Sequence, residues 1–380
     1  MTVVFHRPQL AASLAQNVLH PAAASASSSG LFLAAPRRTG KSTFLREDLR
    51  PELVRRGALV VYADLWENRK ADPGQVIVNA VRAELSKHAG VVTRLARSAG
   101  MDKVNLDGLT FSLDRVGLGS DVSLSSALAA LSDETAQPIV LIIDEAQHAI
   151  TSESGNDALF ALKAARDELN SSLHKGLRVV ATGSNQDKLA MLRSSKDQAF
   201  FGAPLVSFPS LGRDYVQWFC EHASLTAALD PEVVYGLFTR AAFRPEVLGA
   251  AADAMRFDFE LIPADVPKRF SDAVDELIEA ANQELLRVIH SLTPLQSTVL
   301  RVLAASGADY APFETETMDR YQKVLDVIAP NGQVRADVPN VQQALSALQD
   351  KALVWRAARG IYALEDVATA DLLRQHGLLL

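Results

Sequence analysis

Cysteine is almost missing from this sequence: Cys220 stands alone among 380 residues. No intrachain disulfide and no cysteine-built metal site can form, which suits a reducing, cytoplasmic setting. Long apolar runs are missing as well. A membrane-crossing helix needs roughly 18 or more consecutive apolar residues, and no such run occurs, so no membrane span is expected. The apolar stretch from Ala22 to Ala35 lacks the basic flank of a secretory signal and leads straight into a glycine-lysine turn, so it is read as part of the folded chain. Positive charge is in deficit too. A net charge of −7 argues against broad coating of nucleic acid and leaves room only for a local basic patch. Apolar residues are not scarce: at 48% hydrophobic, the chain can build two or three real cores.

The most informative stretch is LFLAAPRRTGKSTFL, residues 31 to 45. An apolar run (Leu31, Phe32, Leu33, Ala34) stops at a turn that ends in Gly40-Lys41-Ser42-Thr43, and a helix-compatible segment follows. That is the strand, loop and helix of a phosphate-binding P-loop, whose pattern is G-x-x-x-x-G-K-[ST] with Ala35 in place of the first glycine. Gly40 lets successive N–H groups turn inward, and the new helix adds its positive end. Lys41 is a point charge for the β- and γ-phosphates of ATP, and the Ser42 hydroxyl is a ligand for Mg2+. Ala35, Pro36, Arg37, Arg38, Thr39, Gly40, Lys41, Ser42 and Thr43 are the candidate nucleotide-binding residues.

A phosphate loop needs an acid on a second strand. Pro138-Ile139-Val140-Leu141-Ile142-Ile143 predicts a strand buried on both faces, and Asp144-Glu145 emerge at its C-terminal end, where open α/β sheets bind ligands. Asp144 is the candidate metal residue with Ser42, and Glu145 the candidate general base for the attacking water. Further strands are expected at 58–63, before Asp64, and at 177–182, before Gly183-Ser184-Asn185. Ser184 and Asn185, with Thr182 behind them, are candidates to reach the γ-phosphate or the water. The competing reading is an ordinary strand-to-helix turn capped by Ser or Asn.

The order AxxxxGKS, IVLIIDEAQ, VVATGSN and then a helical region resembles AAA+-related ATPases. The group it most resembles is the archaeal-type ATPases, with their GPRxxGKT loop and hhhDEhQ strand, which are related to STAND switch ATPases and origin-recognition-like loaders. The resemblance implies an α/β fold: a parallel-sheet P-loop ATPase core (AAA+-like) with a helical lid and a C-terminal winged-helix domain. It also implies ATP and Mg2+ as cofactors and a homo-oligomer or protein partner. The family places a Phe-x-x-Arg segment near the adenine, and Phe5-His6-Arg7 compares with it loosely. Relatives often carry an arginine where Ala203 stands, so the resemblance leaves Arg193, Arg213 and Arg178 as substitutes for an arginine finger. Arg193, in the polar stretch Arg193-Ser194-Ser195-Lys196, is best placed. Arg244 compares with a nucleotide-sensing arginine of the lid, and a helix-start arginine in solvent is the alternative.

Along the chain, residues 1–30 read as a helix from Pro8 to Leu19 and a Ser/Ala linker, 31–212 as the nucleotide-binding core, 213–285 as the lid and 286–380 as the winged helix. Residues 104–113 alternate like a hairpin. Thr293-Pro294-Leu295-Gln296 is a capping box that starts a helix. Val341, Ala344, Leu345 and Leu348 form the apolar face of another helix, and 353–364 reads as a two-stranded wing. The third helix offers Asn340, Gln342, Gln343, Ser346 and Gln349, while Lys351, Arg356 and Arg359 form a small basic footprint. Residues 286–380 hold nine Lys/Arg against ten Asp/Glu, and phosphate neutralisation dominates DNA affinity, so DNA is a weakly supported partner. Three functions remain open at this point: an ATP-driven switch acting on a macromolecule, a DNA-associated helper ATPase, and a non-catalytic nucleotide-dependent scaffold.

Overall fold

The computed structural model describes residues 3–380 apart from 23–24, 37, 69, 89, 92–94, 96–110, 113–121, 172–173, 185, 195–197, 331, 333, 359, 367 and 380. The chain forms two compact units. His6–Ala35 and Ser42–Phe208 make one, while Met1–Phe5, Pro36–Lys41 and Pro209–Leu380 make the other.

The first unit is built on five parallel strands: β1 (Leu31–Ala34), β2 (Leu59–Asp64), β3 (Ile139–Asp144), β4 (Leu177–Gly183) and β5 (Leu205–Ser207). Their spatial order is β2-β3-β4-β1-β5. All six residues of β3 are buried, as an unbroken apolar run at the centre of a two-sided sheet requires. Strand alternation divides the side chains between two cores. On one face Phe32, Val61, Leu141 and Val179 meet the helices Pro73–Leu85, Leu124–Thr135 and Glu153–Ser171. On the other, Leu33, Val60, Ile142 and Val180 meet Ala11, Ala15 and Val18 of the helix Pro8–Leu19, together with Leu45, Leu49 and Leu53. The N-terminal helix is thus a layer of the core.

The helix after the phosphate loop starts as Lys41–Phe44, widens to a π-helical turn at Leu45–Leu49 and continues as Arg50–Arg55. Pro51 explains the widening: its ring has no N–H and would clash with the carbonyl four residues back. The short edge strand β5 was not foreseen. Most of the stretch read as a hairpin, 104–110 and 113, lies outside the described residues, and Phe111–Ser112 pairs in parallel with Val122–Ser123.

The second unit holds two helical cores. Arg213–His222, Pro231–Arg240, Pro245–Arg256 and the first half of Val266–His290 enclose Phe219, Phe238, Phe270 and Val274. Beyond it, Pro294–Ser306, Thr315–Ile328 and Val338–Asp350 enclose Leu300, Tyr321 and Leu345. An antiparallel hairpin follows, β6 (Val354–Ala358) and β7 (Ile361–Leu364), and then the helix Ala368–Gln375. Starts are set locally. Prolines stand at the first or second position of five of these helices, behind Asp230, Arg244, Asp265, Thr293 and Asp337, and Thr293 with Gln296 closes the expected capping box. Val341, Ala344, Leu345 and Leu348 are all buried, as their spacing predicts. Among the described residues no helix is long and apolar enough to cross a membrane.

Candidate nucleotide site

Parallel pairing brings the strand ends to one edge. The register sets Ala34 beside Gly183, Ile143 beside Ala181, and Asp64 beside Asp144. The chain therefore leaves β1 at Ala35, β4 at Ser184 and β3 at Glu145 along a single edge, with β4 between the other two. The Ala35 amide donates to the Gly183 carbonyl at 3.1 Å. Within the loop, the Thr39 hydroxyl donates to the Pro36 carbonyl at 2.7 Å. Two left-handed residues, Arg38 (φ 61°) and Gly40 (φ 82°), kink the backbone in the manner of anion-cradling concavities. Gly40 needs its missing side chain for that angle. Lys41 opens the helix and is only 6% exposed. Ser42 is half-buried and Thr43 exposed.

Asp144 is 1% exposed, and donors from three described residues reach its carboxylate. The Thr182 hydroxyl donates to Oδ1, the Glu145 amide to the same oxygen at 3.0 Å, and the Tyr62 hydroxyl to Oδ2 at 3.0 Å. Donors placed in this way hold the plane of the carboxylate. Glu145 breaks the strand alternation. It adopts a left-handed conformation (φ 54°, ψ 42°) as the cap of a 3-10 helix, Ala146–Thr151, and so turns away from its neighbour. Its Oε2 accepts from Gln147 Nε2. Ser42 and Asp144 supply a hydroxyl and a carboxylate, hard oxygen donors of the kind a magnesium ion takes, so the residues present fit that ion.

A second acid stands beside the first. Asp64 pairs with Arg46 Nη2 at 2.7 Å, and the same guanidinium lies 5.3 Å from the centroid of the Tyr62 ring. Burial, with the nearby charge of Asp144, pushes the Asp64 carboxyl above the usual range. Tyr62, Arg46 and Gln147 were not among the sequence candidates. The only signal for Tyr62 was a hydroxyl on an otherwise apolar strand, and for Gln147 a polar residue just after the acids.

The remaining candidates fall elsewhere. The Thr182 hydroxyl bonds Asp144, and Ser184 is buried at the end of β4; Asn185 and Arg37 lie outside the described residues, as do Ser195, Lys196 and Arg359. Arg193 is half-buried, and its Nε donates to the Ala203 carbonyl. Ala203 is 0% exposed, so an arginine there would have no space. Arg178 is engaged with Asn170 and the Leu177 carbonyl. Arg213 pairs with Glu232 and lies over Tyr235 at 4.2 Å. Arg244 stands at the N-cap of its helix, is half-buried, and its Nε donates to the Ala241 carbonyl at 3.0 Å. Phe5 packs edge-on against Tyr215 at 5.4 Å, while His6 bonds Asp48 at 2.8 Å and Arg7 covers Phe208 at 5.0 Å.

No protein-family model matches the sequence, and no curated protein matches it. Solved structures do. A Walker-type ATPase of Pyrococcus abyssi is similar with a TM-score of 0.50 at 16% identity, over 97% of this chain and 96% of its own. The ORC2 protein of Aeropyrum pernix in its ADP form is similar with a TM-score of 0.53 at 14% identity, over 100% of this chain and 96% of its own. At such identities the likeness is one of fold. The chain has the α/β fold of P-loop ATPases of the AAA+ type, shared with the archaeal Walker-type and ORC proteins.

Proposed function

We propose that the chain binds ATP and Mg2+ and hydrolyses the nucleotide as a switch that acts on a macromolecular partner. One observation supports this most. Asp144, tied down by donors from three described residues, and Glu145, turned the other way, leave β3 on the same sheet edge from which β1 runs into the glycine-lysine loop. Two adjacent carboxylates in different settings suit two tasks. Lys41 and the loop amides hold the phosphates, and Glu145 accepts a proton from water as the water oxygen attacks the γ-phosphorus and ADP departs. Ser42 and Asp144 would hold a magnesium ion, which would supply positive charge to the phosphate oxygens. Ser184 orients the γ-phosphate.

In this reading residues 213–285 act as a lid and 286–380 as a winged helix that carries the nucleotide state to the partner, with assembly into a homo-oligomer. Arg244 would sense nucleotide and Arg193 would serve a neighbouring subunit through their Nη groups, with each Nε bonded to a carbonyl of its own chain. The test is phosphate release from the purified chain with particle mass measured with and without a non-hydrolysable ATP analogue. Turnover that disappears in the Glu145→Gln protein, together with a nucleotide-dependent mass, is the expected result. Absence of ATP binding in the intact chain would overturn the reading.

A further inference from the structure

Phe259 is 91% exposed. It stands in the connection between the helices Pro245–Arg256 and Val266–His290, where Phe257 and Ile262 are exposed as well. Large apolar side chains gathered in one short connection form a patch, and a patch of this kind marks a contact surface, whereas single exposed residues do not. The helix before it has already spent its apolar face: Val247, Leu248, Ala251, Ala252 and Met255 are buried. Asp258 and Glu260 alternate with the apolar residues and are exposed. The contact that Asp258 makes is with the Glu260 amide, at 3.1 Å, and not with a cation.

The sheet unit carries a matching hollow. A cavity of about 160 Å³ lies between the helix Pro8–Leu19 and the strands β1, β4 and β5. Leu14, Val18, Leu31 and Leu33 are apolar walls, and Val206 of the edge strand, itself exposed, also lines it. An apolar cavity of about 150 Å³ accepts a benzene ring, so this one suits a phenyl group. Arg178 is the cation of the lining. It is half-buried, its Nη1 donates to the neutral oxygens of Asn170 and Leu177, and its Nε has no hydrogen-bond partner among the described residues. A partly desolvated positive charge favours a carboxylate beside it.

We infer that Phe259 of one copy of this chain enters the cavity of a second copy, with Asp258 and Glu260 brought beside Arg178; the inference rests on the homo-oligomer in the reading above and names its contact. Size and sign of charge match, and one sequence supplies both halves, which favours a second copy over a foreign partner. The ring is not in the cavity of its own chain, where it stays exposed. Knob and hollow are different surfaces, so the contact is head-to-tail and builds a ring or a filament, not an isologous pair.

The test is cross-linking of the full chain. Asn17 is exposed and lines the cavity. Chains with Phe259→Cys mixed with chains with Asn17→Cys should form disulfide-linked pairs under mild oxidation, and neither kind should couple when alone. Particle mass is then measured for the intact chain, Phe259→Ser and Val206→Glu, with and without a non-hydrolysable ATP analogue. Each substitution is at an exposed residue and should leave the melting temperature and ATP affinity unchanged. Self-association should weaken by about thirtyfold or more, as expected for loss of a central aromatic anchor. Coupling of Phe259→Cys chains with one another, coupling confined to a chain that carries both cysteines, or parental mass in both variants would overturn the contact. An intact chain that binds ATP yet stays monomeric in both conditions would overturn it as well. Failure of the intact chain to bind ATP overturns instead the nucleotide reading, which the cross-link does not measure.

Discussion

The hydroxyl of Tyr62 donates to Oδ2 of Asp144 at 3.0 Å, across the boundary between β2 and β3. Burial, reinforced by the charge of Asp144, pushes the phenol above its usual range, which favours Tyr62 as a donor. Removing it with Tyr62→Phe keeps the ring and deletes one of the donors that orient the carboxylate. The fold should survive, and the Mg2+ concentration at half-maximal turnover should rise severalfold. A magnesium titration of phosphate release checks this, and an unchanged midpoint would show that Thr182 and the Glu145 amide suffice.

Lys41→Ala should abolish ATP binding, because the loop loses its buried cation. Fluorescence titration with a labelled nucleotide reads the effect directly, and a normal dissociation constant would refute the assignment of the loop.

For Glu145→Gln the opposite pattern is expected. The amide cannot take a proton from water, so turnover should drop by about 100-fold or more while nucleotide affinity is kept. Phosphate release under single-turnover conditions, with affinity measured on the same protein, separates the two effects. Near-normal turnover would assign the base elsewhere.

Cys220 is half-buried, and burial, with a smaller contribution from Asp230, pushes its thiol up to about 11. The thiolate is the reactive form, and a raised value means that little of it exists at pH 8. Thiol labelling of the native chain at that pH should run at least about tenfold slower than in denaturant, and should accelerate as pH rises toward the thiol's own value. Equal rates in native and unfolded chains would contradict the burial.

Thr293→Ala removes one half of the capping box that starts the helix Pro294–Ser306. The expected cost is about 1 kcal/mol, read as a lower denaturant midpoint with an unchanged slope. No shift would mean that packing of Leu300 and Leu303 alone sets the helix start.

Local rules carried the sequence reading a long way. The run at 139–143 reads as a strand covered on both faces, Gly40-Lys41-Ser42 as the turn from a strand into a helix, and Thr293-Pro294 opens its helix where a cap and a fixed φ demand. Each depends on neighbours within a few positions, where side-chain periodicity and backbone sterics act directly. The partners of Asp144 depend on something else. Tyr62 is 82 residues distant and Thr182 is 38, and they reach one carboxylate because β2 and β4 flank β3. That order is set by how two helical layers cover the two faces of the whole sheet, and no single strand's periodicity encodes it. Arg193 follows the same logic: its sequence neighbours are polar, yet the carbonyl of Ala203 lies within reach only after the chain has turned back. Composition, strand and helix propensity and caps were therefore determined by the sequence at short range. Which polar groups meet, and which arginines are engaged, was decided by tertiary packing, because a hydrogen bond depends on angstrom-scale placement that only the assembled layers supply.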